Sequence, residues 1–189
     1  MTLLEARETK PAEGGASYSL SNRIQRVAWI ICWKLLASWT PTALYRWRVA
    51  LLRIFGAEVD WTAHVYPSVN IWLPNRLSMA KHACLAPNVN CYNMAKITLG
   101  EHAIVSQDAH LCGGSHDVDD EHFQLIAKPI TIERFSWVAA EAFVGPGVTI
   151  AEYSVLGARG VTFKDTEPHG IYAGNPAKFI RNRRNAGVE

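Results

Sequence analysis

Apolar residues between positions 18 and 56 recur three or four residues apart, which is the spacing of an α-helix. Thr40 and Pro41 interrupt the pattern, and a threonine followed by proline is typical of the first residues of a helix. Gly56 is expected to end the second helix. The apolar positions are Ile24, Val27, Ala28, Ile31 and Leu35, then Leu44, Trp47, Leu51 and Ile54. Residues 18–56 therefore predict an amphipathic helical segment.

From residue 57 to residue 165 the pattern changes, and aliphatic side chains recur every six residues. This period indicates a parallel β-helix, in which each hexad forms one short strand and one corner, and three hexads complete a triangular turn. The repeating positions are Val59, Val65, Ile71, Met79, Leu85, Cys91, Leu99, Val105, Leu111, Ile132, Val138, Val144, Ile150 and Leu156. The intervals from Ile71 to Met79 and from Cys91 to Leu99 span eight residues, so we expect a bulge of two residues at each.

The remaining segments do not follow either period. Residues 113–125 are polar and break the hexad register, which predicts a loop that leaves the prism. Residues 1–17 are mostly small or polar and are expected to form a mobile tail. Residues 166–189 predict a turn and then a short basic helix from Pro176 to Arg184. The predicted fold class is all-β, with helices only at the two ends.

Composition and charge narrow the function classes. A chain of 189 residues can bury roughly two thirds of its unfolded surface, and its 49% of hydrophobic residues exclude a disordered polyelectrolyte. The net charge of +2 is unevenly distributed, with −1 in residues 1–17, +6 in 18–56, −6 in 57–173 and +3 in 174–189. This segregation argues against a continuous nucleic-acid track and suits anionic partners that meet the two ends.

The segment 18–56 allows two interpretations. The stretch from Val27 to Trp39 has thirteen residues and one charge, and it spans about 20 Å as a helix, which is short of the roughly 30 Å hydrocarbon core of a bilayer. Six Lys or Arg residues without an acid favour helices lying on an anionic membrane surface. A cap packed on the rest of the protein is the alternative. Four tryptophans lie in the segment: Trp29, Trp33, Trp39 and Trp47.

The cysteines and the first residues indicate the compartment. The four cysteines form no C-x-x-C pair and lie among apolar or small residues, which favours free buried thiols in a reducing compartment over a zinc ribbon. The sequence MTLLEARETKPAEGG contains acids and lacks the basic and apolar regions of a secretory signal. We therefore expect a cytoplasmic protein.

Four stretches carry a resemblance to a known family: the run from Lys128 to Arg181, the FGA sequence that starts at Phe55, the pair Tyr92-Asn93, and Gly113-Gly114-Ser115-His116-Asp117. Over residues 18–184 the chain resembles hexapeptide-repeat O-acetyltransferases of sugars, in particular the galactoside and nodulation-factor group and the colanic acid biosynthesis acetyltransferases. The resemblance implies a left-handed parallel β-helix and a homotrimer with active sites between neighbouring prisms. It also implies acetyl-CoA as donor, no metal, and acetyl transfer to a saccharide hydroxyl in exopolysaccharide or cell-surface glycan biosynthesis.

His116 matches the catalytic histidine of that family. A sugar hydroxyl is a poor nucleophile at neutral pH, and an imidazole with a pKa near 6.5 can accept its proton as it attacks the thioester. Such a base typically contributes about 10²–10⁴ in rate. Asp117 is either an orienting group near the acceptor or a solvated loop residue.

The resemblance also implies a donor site, in which small residues line the pantetheine arm and basic residues hold the CoA phosphates. The matching positions are Ala140, Gly157 and Ala158 for the arm, and Lys164, Lys178 and Arg181 for the phosphates. A solubilising basic tail is the alternative for the C-terminal pair. Phe163, Arg159 and the pair Val138-Ala139 depart from the family pattern, and Arg159 either adds a phosphate contact or crowds the cleft.

Asn93, Tyr92 and Trp72 are the acceptor candidates. The third, sixth and ninth hexads share one face of the prism, so these residues lie on the face from which the His116 loop emerges. Asn93 can hydrogen-bond sugar hydroxyls and Trp72 can stack on a sugar ring. The alternative is that they only fill the bulges. Ala86 replaces an asparagine usual in the family, which weakens any inference about the acceptor.

Other functions occur on the same fold. A γ-carbonic-anhydrase-like enzyme binds a metal through histidines, and His82 and His102 occupy equivalent corners one turn apart, where we expect them to stack. Stacked corners point outward in parallel and form a poor tetrahedral shell. A non-catalytic β-helix scaffold is a second alternative, and acetylation of an antibiotic or an amino acid is a third.

Overall fold

The computed structural model describes residues 3–184, and their main body is a β-helix with three parallel sheets along the faces of a prism. The first sheet contains β1 (Glu58–Val59), β4 (Leu77–Met79), β7 (Ile97–Leu99), β12 (Ile130–Ile132) and β15 (Thr149–Ile150). The second contains β2 (His64–Val65), β5 (Cys84–Leu85), β8 (Ile104–Val105), β13 (Trp137–Val138), β16 (Val155–Leu156), β18 (Gly170–Ala173) and β19 (Lys178–Asn182). The third contains β3 (Asn70–Ile71), β6 (Asn90–Tyr92), β9 (His110–Cys112), β14 (Phe143–Val144) and β17 (Val161–Thr162). The predicted parallel β-helix is confirmed.

The hexad aliphatics form the core. Every predicted position from Val59 to Leu156 is buried, and each stacks on its counterpart in the next turn, as Ile132 does on Ile150. Small residues such as Ala63 fill the corners with no exposed surface. Burying one such aliphatic side chain stabilises the fold by about 1.5–3 kcal/mol, so the stacked columns supply most of the driving force for winding.

The two predicted bulges follow β3 and β6. Early turns pair residues twenty apart, such as Val59 with Met79, whereas later turns pair residues eighteen apart, such as Ile132 with Ile150. A 3₁₀ turn, Pro74–Arg76, takes up the extra residues after β3. Both insertions therefore lie at the corner between the third and first sheets.

A column of aromatic rings runs along another corner of the prism. His82 and His102 stack with ring centroids 4.8 Å apart, which confirms the predicted stacking. His102 stacks in turn on Phe135 at 4.9 Å, and the column continues through Tyr153 and His169. All five residues have positive φ, which the tight corner requires.

The N-terminal segment packs along the prism through helices α2 (Leu20–Leu36) and α3 (Tyr45–Ile54), which follow a short α1 (Ala6–Thr9). Trp29 and Trp33 on the inner face of α2 are buried, and the Trp29 indole donates to the Ile71 carbonyl at 2.8 Å. The packing interpretation therefore holds for the inner face, while the outer face is exposed. Within residues 3–184, no helix combines the length and the apolar character needed to cross a bilayer.

The start of α3 differs from the prediction. A 3₁₀ turn, Thr42–Leu44, precedes the helix, so Thr40 and Pro41 are not its first residues. Instead, Arg48 is 1% exposed and its guanidinium donates to the Thr40 hydroxyl and to the carbonyls of Pro41, Thr42 and Val65. The buried arginine fixes the link between the helices because each of these bonds is charge-assisted.

Residues 3–17, expected to be a mobile tail, instead fold against the protein. They contain α1 and a second short turn, Pro11–Glu13, and Leu3 forms a β-bridge with Tyr18. Ala6 is 2% exposed. The polar composition of these residues did not indicate this arrangement, because the arrangement depends on hydrogen bonds that their backbone groups form with a loop distant in sequence.

The predicted short C-terminal helix is wrong. Lys178–Asn182 forms β19, which pairs antiparallel with β18. The pairing supplies backbone partners to the last turn of the β-helix, whose edge would otherwise expose unpaired N–H and C=O groups. The end of the predicted segment 166–189, from residue 185 on, lies outside the described residues.

Candidate active site

An antiparallel hairpin leaves the prism at the corner between the third and first sheets. Its strands are β10 (Gly114–His116) and β11 (Leu125–Ala127), and His116 pairs with Leu125. This hairpin occupies the predicted loop 113–125. A glycine fits best at its base, because a Cβ at position 114 would overlap the Met94 side chain. The bulge after β6 and the hairpin are therefore packed together.

The His116 imidazole is exposed and held in a defined orientation. Its Nδ1 lies 2.8 Å from the carbonyl oxygen of Phe123, and its ring stacks on the Phe123 ring with centroids 4.6 Å apart. A carbonyl oxygen can only accept a hydrogen bond, so Nδ1 of the neutral imidazole carries the proton. The lone pair of Nε2 is then available to a substrate, which is the form a general base needs.

Asp117 has a local role in the loop. Its Oδ1 accepts from the backbone N–H of Asp119 at 3.1 Å, and its own N–H donates to the Gln124 carbonyl at 2.8 Å. These bonds shape the turn between the hairpin strands, and the histidine is oriented by the Phe123 carbonyl instead. The structure therefore places Asp117 beside His116 without making it the orienting group.

Trp72 and Tyr92 lie at the corner from which the hairpin emerges, as expected, with ring centroids 4.8 Å apart. The indole of Trp72, however, is covered by the guanidinium of Arg26, which lies 3.3 Å from a Trp72 ring centroid. Tyr18 also contacts it, at 5.7 Å between ring centroids. The expectation that Trp72 stacks on a sugar is wrong in this arrangement, because protein groups already occupy its surface.

Asn93 does not face the acceptor side. It has no exposed surface, its Oδ1 accepts from the Leu73 N–H at 3.1 Å, and its Nδ2 donates to the Leu73 carbonyl at 2.7 Å. The side-chain amide thus replaces a backbone partner where the two bulges stack. Asn93 therefore fills the bulge, which was the alternative, and the predicted contact between Asn93 and a sugar is wrong.

Four of the six predicted donor residues lie together at the corner between the second and third sheets. Ala140 and Ala158 occupy equivalent positions one turn apart, and the Arg159 N–H donates to the Ala140 carbonyl at 2.9 Å. A Cβ added at Gly157 would lie 3.1 Å from the Tyr172 carbonyl, so a glycine fits there best. Lys178 pairs with Ala173, next to Gly157, and reaches the same corner.

The other two basic candidates lie elsewhere. Lys164 follows β17 and so belongs to the corner that carries the hairpin, where Thr162 Oγ1 binds both its N–H and its carbonyl. Arg181 lies further along β19, pairs with Ile171 and is exposed. A single chain thus presents His116 and Lys164 at one corner, and Ala140 and its neighbours at another.

Arg159, one of the departures from the family pattern, forms an ion pair with Glu141. Its Nε lies 2.8 Å from Glu141 Oε2 and its Nη2 3.2 Å from Oε1, and this pairing raises the pKa of the guanidinium. The side chain is therefore directed to Glu141, one turn away, and this contact opposes both the predicted phosphate contact and the predicted crowding of the cleft.

Burial shifts several titratable groups near the site. The pKa of the Tyr18 hydroxyl is raised by desolvation and by the neighbouring Tyr92. The pKa of His110 is lowered by burial. All four cysteines have free thiols, and burial raises the pKa of Cys91 to about 12, so this thiol is inert at neutral pH.

Sequence reasoning did not find Phe123, Gln124, Tyr18 or Arg26, all of which contact the predicted site residues. All four lie outside the hexad register, two in the hairpin loop and two in the N-terminal segment, so the six-residue period does not mark them. Within residues 3–184, no group of three or more His, Cys, Asp or Glu side chains has the arrangement needed to hold a metal ion.

Comparison with known proteins yields clear relatives, although no protein-family model matches the sequence. The chain is 41% identical over 162 residues to WcaF of Escherichia coli (strain K12), which carries the name of a colanic acid biosynthesis acetyltransferase; the alignment covers 86% of this chain and 89% of WcaF. It is 27% identical over 137 residues to the galactoside O-acetyltransferase of the same strain, covering 71% of this chain and 68% of that enzyme.

Among solved structures, the fold is similar to a hexapeptide-repeat containing acetyltransferase from Vibrio cholerae O1 biovar eltor, determined in complex with acetyl coenzyme A. The TM-score is 0.77 at 24% identity, and the superposition covers 96% of this chain and 100% of that one. At this identity the likeness shows the shared fold.

Proposed function

The chain belongs to the hexapeptide-repeat acetyltransferases, and from this premise we propose that it transfers an acetyl group from acetyl-CoA to a hydroxyl group of a saccharide. The observation that carries the proposal is the orientation of His116. Its Nδ1 donates to the Phe123 carbonyl, which leaves Nε2 unprotonated in the neutral ring, and the His116 side chain is exposed. The names of the relatives support a saccharide of an exopolysaccharide or of another cell-surface glycan as the acceptor.

In the proposed reaction, Nε2 of His116 accepts the proton of the saccharide hydroxyl while the hydroxyl oxygen attacks the thioester carbonyl of acetyl-CoA. The tetrahedral intermediate then collapses, the carbon–sulfur bond breaks, and the CoA sulfur leaves with the proton from the imidazolium. The products are the acetyl ester and free CoA thiol. The Phe123 carbonyl supports both steps, because it accepts from Nδ1–H in the neutral and in the protonated imidazole.

The donor is proposed to bind at the corner formed by Ala140, Gly157 and Ala158. Small side chains leave room for the pantetheine arm to lie against the prism. At Gly157 a Cβ would lie 3.1 Å from the Tyr172 carbonyl oxygen, so this position favours a residue without a side chain. Lys164, Lys178 and Arg181 are exposed, which suits charge-assisted contacts with the CoA phosphates. No metal is part of this proposal.

A homotrimer is proposed because one chain separates the two halves of the site. His116 and Lys164 lie at the corner between the third and first sheets, whereas Ala140, Ala158 and Lys178 lie between the second and third. A neighbouring copy can bring its alanine corner against the hairpin corner of the first. Tyr92 and Asp117, which stay beside the hairpin, are the proposed acceptor contacts.

The outer face of the helical segment 18–56 is proposed to contact an anionic membrane, which would place a cytoplasmic enzyme at the inner face of the membrane. Large apolar side chains there are 43–76% exposed, an apolar surface that soluble monomers rarely present. Four of the six Lys or Arg residues of the segment are exposed, namely Arg23, Lys34, Arg46 and Arg53, and with no acid in the segment they complement anionic headgroups. The exposed apolar residues are Leu20, Ile24, Val27, Ile30, Ile31, Leu35, Leu36, Trp39, Leu44, Trp47 and Ile54.

Flotation with lipid vesicles tests the membrane contact. The variant Ile24→Ser, Ile31→Ser, Leu35→Ser should lose binding to phosphatidylglycerol vesicles, and salt should weaken wild-type binding. Ile104→Ser, at an exposed apolar residue on the β-helix, is the control and should bind normally. Unchanged binding by the triple variant refutes the contact. A smaller particle mass for that variant in light scattering would assign the face to subunit packing.

A thiol-release assay with acetyl-CoA tests the catalytic proposal across nucleotide sugars, lipid-linked oligosaccharides and simple glycosides. We expect release that depends on one saccharide class and falls at least a hundredfold in His116→Ala, with an unchanged melting temperature. A loss below tenfold would remove His116 from the mechanism. Absence of release with every saccharide would favour the scaffold interpretation or another acceptor, and activity that disappears with removal of bound zinc would favour a γ-carbonic-anhydrase-like enzyme.

A further inference from the structure

The carbonyl that orients His116 belongs to the peptide group between Phe123 and Gln124. Any rotation of that peptide plane moves the oxygen that accepts the Nδ1 hydrogen. Phe123 has φ 54°, in the left-handed region, which a residue with a side chain adopts only at a cost in free energy. The conformation therefore depends on the contacts of its neighbours.

Gln124 makes those contacts with all of its polar groups. Its backbone N–H donates to Asp120 Oδ1 at 3.2 Å, and its carbonyl accepts from the Asp117 N–H at 2.8 Å. Its side-chain Oε1 accepts from the Ala6 N–H at 2.6 Å, and its Nε2 donates to the carbonyls of Leu4 at 3.3 Å and Leu125 at 3.0 Å. One side chain thus ties the hairpin to the N-terminal residues.

The N-terminal residues 3–18, here called the strap, are themselves anchored. The strap closes on itself where the Leu4 N–H donates to the Ser17 carbonyl at 3.3 Å. The Tyr18 hydroxyl at its end donates to Met94 Sδ at 3.3 Å, and Met94 packs against Gly114 at the hairpin base. The strap therefore contacts both the tip and the base of the hairpin that carries His116.

We propose that Gln124 is a positioning residue for His116 and that the strap is its support. Gln124 holds the Phe123 peptide so that its carbonyl faces Nδ1, and this selects the tautomer with a free Nε2. The inference rests on the proposed function, because it assumes that His116 is the base.

The variant Gln124→Met tests the proposal because it keeps the side-chain volume and removes the hydrogen bonds. We expect kcat to fall about tenfold to a hundredfold, since a displaced catalytic group costs rate in this range, while the KM for acetyl-CoA stays within about twofold. Gln124→Glu keeps an acceptor for the Ala6 N–H and should lose less. Gln25→Met, at an exposed glutamine on α2, is the matched control and should behave as wild type.

A second variant removes the other partner of the bond. Ala6 is the first residue of α1, a position that accommodates proline, so Ala6→Pro deletes the donating N–H. If the two residues act through one bond, the double variant should have the kcat of Gln124→Met within about twofold. Losses that multiply would show that the residues act separately and would overturn the proposal.

Nitrogen NMR of the ¹⁵N-histidine-labelled full chain provides a measurement that does not depend on turnover. His116 should show one tautomer, protonated at Nδ1, in the wild type, and a mixture in Gln124→Met. An unchanged tautomer together with an unchanged kcat would overturn the proposal. Activity retained by His116→Ala would instead refute His116 as the base of the proposed reaction, and the tautomer of Gln124→Met would still report whether Gln124 orients the ring.

Discussion

The guanidinium of Arg26 lies over the indole of Trp72, 3.3 Å from a ring centroid. This contact attaches the first turns of α2 to the corner of the prism that also carries the His116 hairpin. The same helix is held further along by Trp29, which donates to the carbonyl of Ile71, the residue before Trp72. The proposed membrane surface and the proposed active site are therefore parts of one packed unit.

Arg26→Met should lower the free energy of unfolding by about 1–2 kcal/mol, the range for a desolvated cation–π contact. Methionine keeps most of the apolar stem, so the loss reports mainly on the charged group. Arg23→Met, at an exposed position on the same helix, should stay within about 0.5 kcal/mol of wild type. Urea titration measures both, and equal stability of the two variants would contradict the assignment.

Asn93→Leu should be among the more destabilising single changes. It leaves the buried N–H and carbonyl of Leu73 without their partners, and each unmet group costs about 1–3 kcal/mol. Asn70→Ala, at an exposed asparagine, should change stability by less than about 0.5 kcal/mol. A normal melting temperature with a raised KM for the saccharide would instead restore the acceptor role that the sequence suggested.

The architecture could be predicted from the sequence because the period of the core aliphatics is the period of the coil. Val59 and Leu156 lie ninety-seven residues apart, yet both belong to the same six-residue pattern once the two bulges and the hairpin insertion between Leu111 and Ile132 are allowed. Each hexad contains its own aliphatic core position, so the stacking of the turns can be predicted without knowing which distant residues are in contact. The stacked pair His82 and His102 followed from the same register.

The site could be predicted only where a motif marked it. His116 stands in a recognisable motif, but its partner Phe123 lies in a loop without a period, and the Gln124 contact with Ala6 joins residues 118 positions apart. The sequence leaves two roles open for Asn93, because an amide can hydrogen-bond sugar hydroxyls as well as backbone groups. Its burial, which decides between these roles, depends on how two bulges stack.

The double variant Lys178→Ala, Arg181→Ala should raise the KM for acetyl-CoA about tenfold or more, because charge-assisted hydrogen bonds contribute about 1.5–3 kcal/mol each. The KM for the saccharide should change far less. Arg184→Ala is the control for loss of charge at the same end of the chain. Steady-state kinetics with each substrate varied in turn distinguishes the outcomes, and an effect on the saccharide alone would refute the donor assignment.

His110 should make the protein less stable in mild acid. Burial lowers the pKa of its imidazole in the folded protein, where it is packed between the rings of Tyr92 and Phe143, with the Asn90 amide 3.3 Å from Nε2. The unfolded chain, with a histidine pKa of about 6.5, therefore binds more protons as the pH falls through that value. Stability rises with pH wherever the unfolded state binds more protons, so acid removes stability.

The melting temperature of His110→Gln should fall less than that of wild type between pH 7.5 and pH 5.5. His122→Gln, at an exposed loop histidine, should follow the wild type, and an identical fall in all three proteins would show that His110 does not contribute.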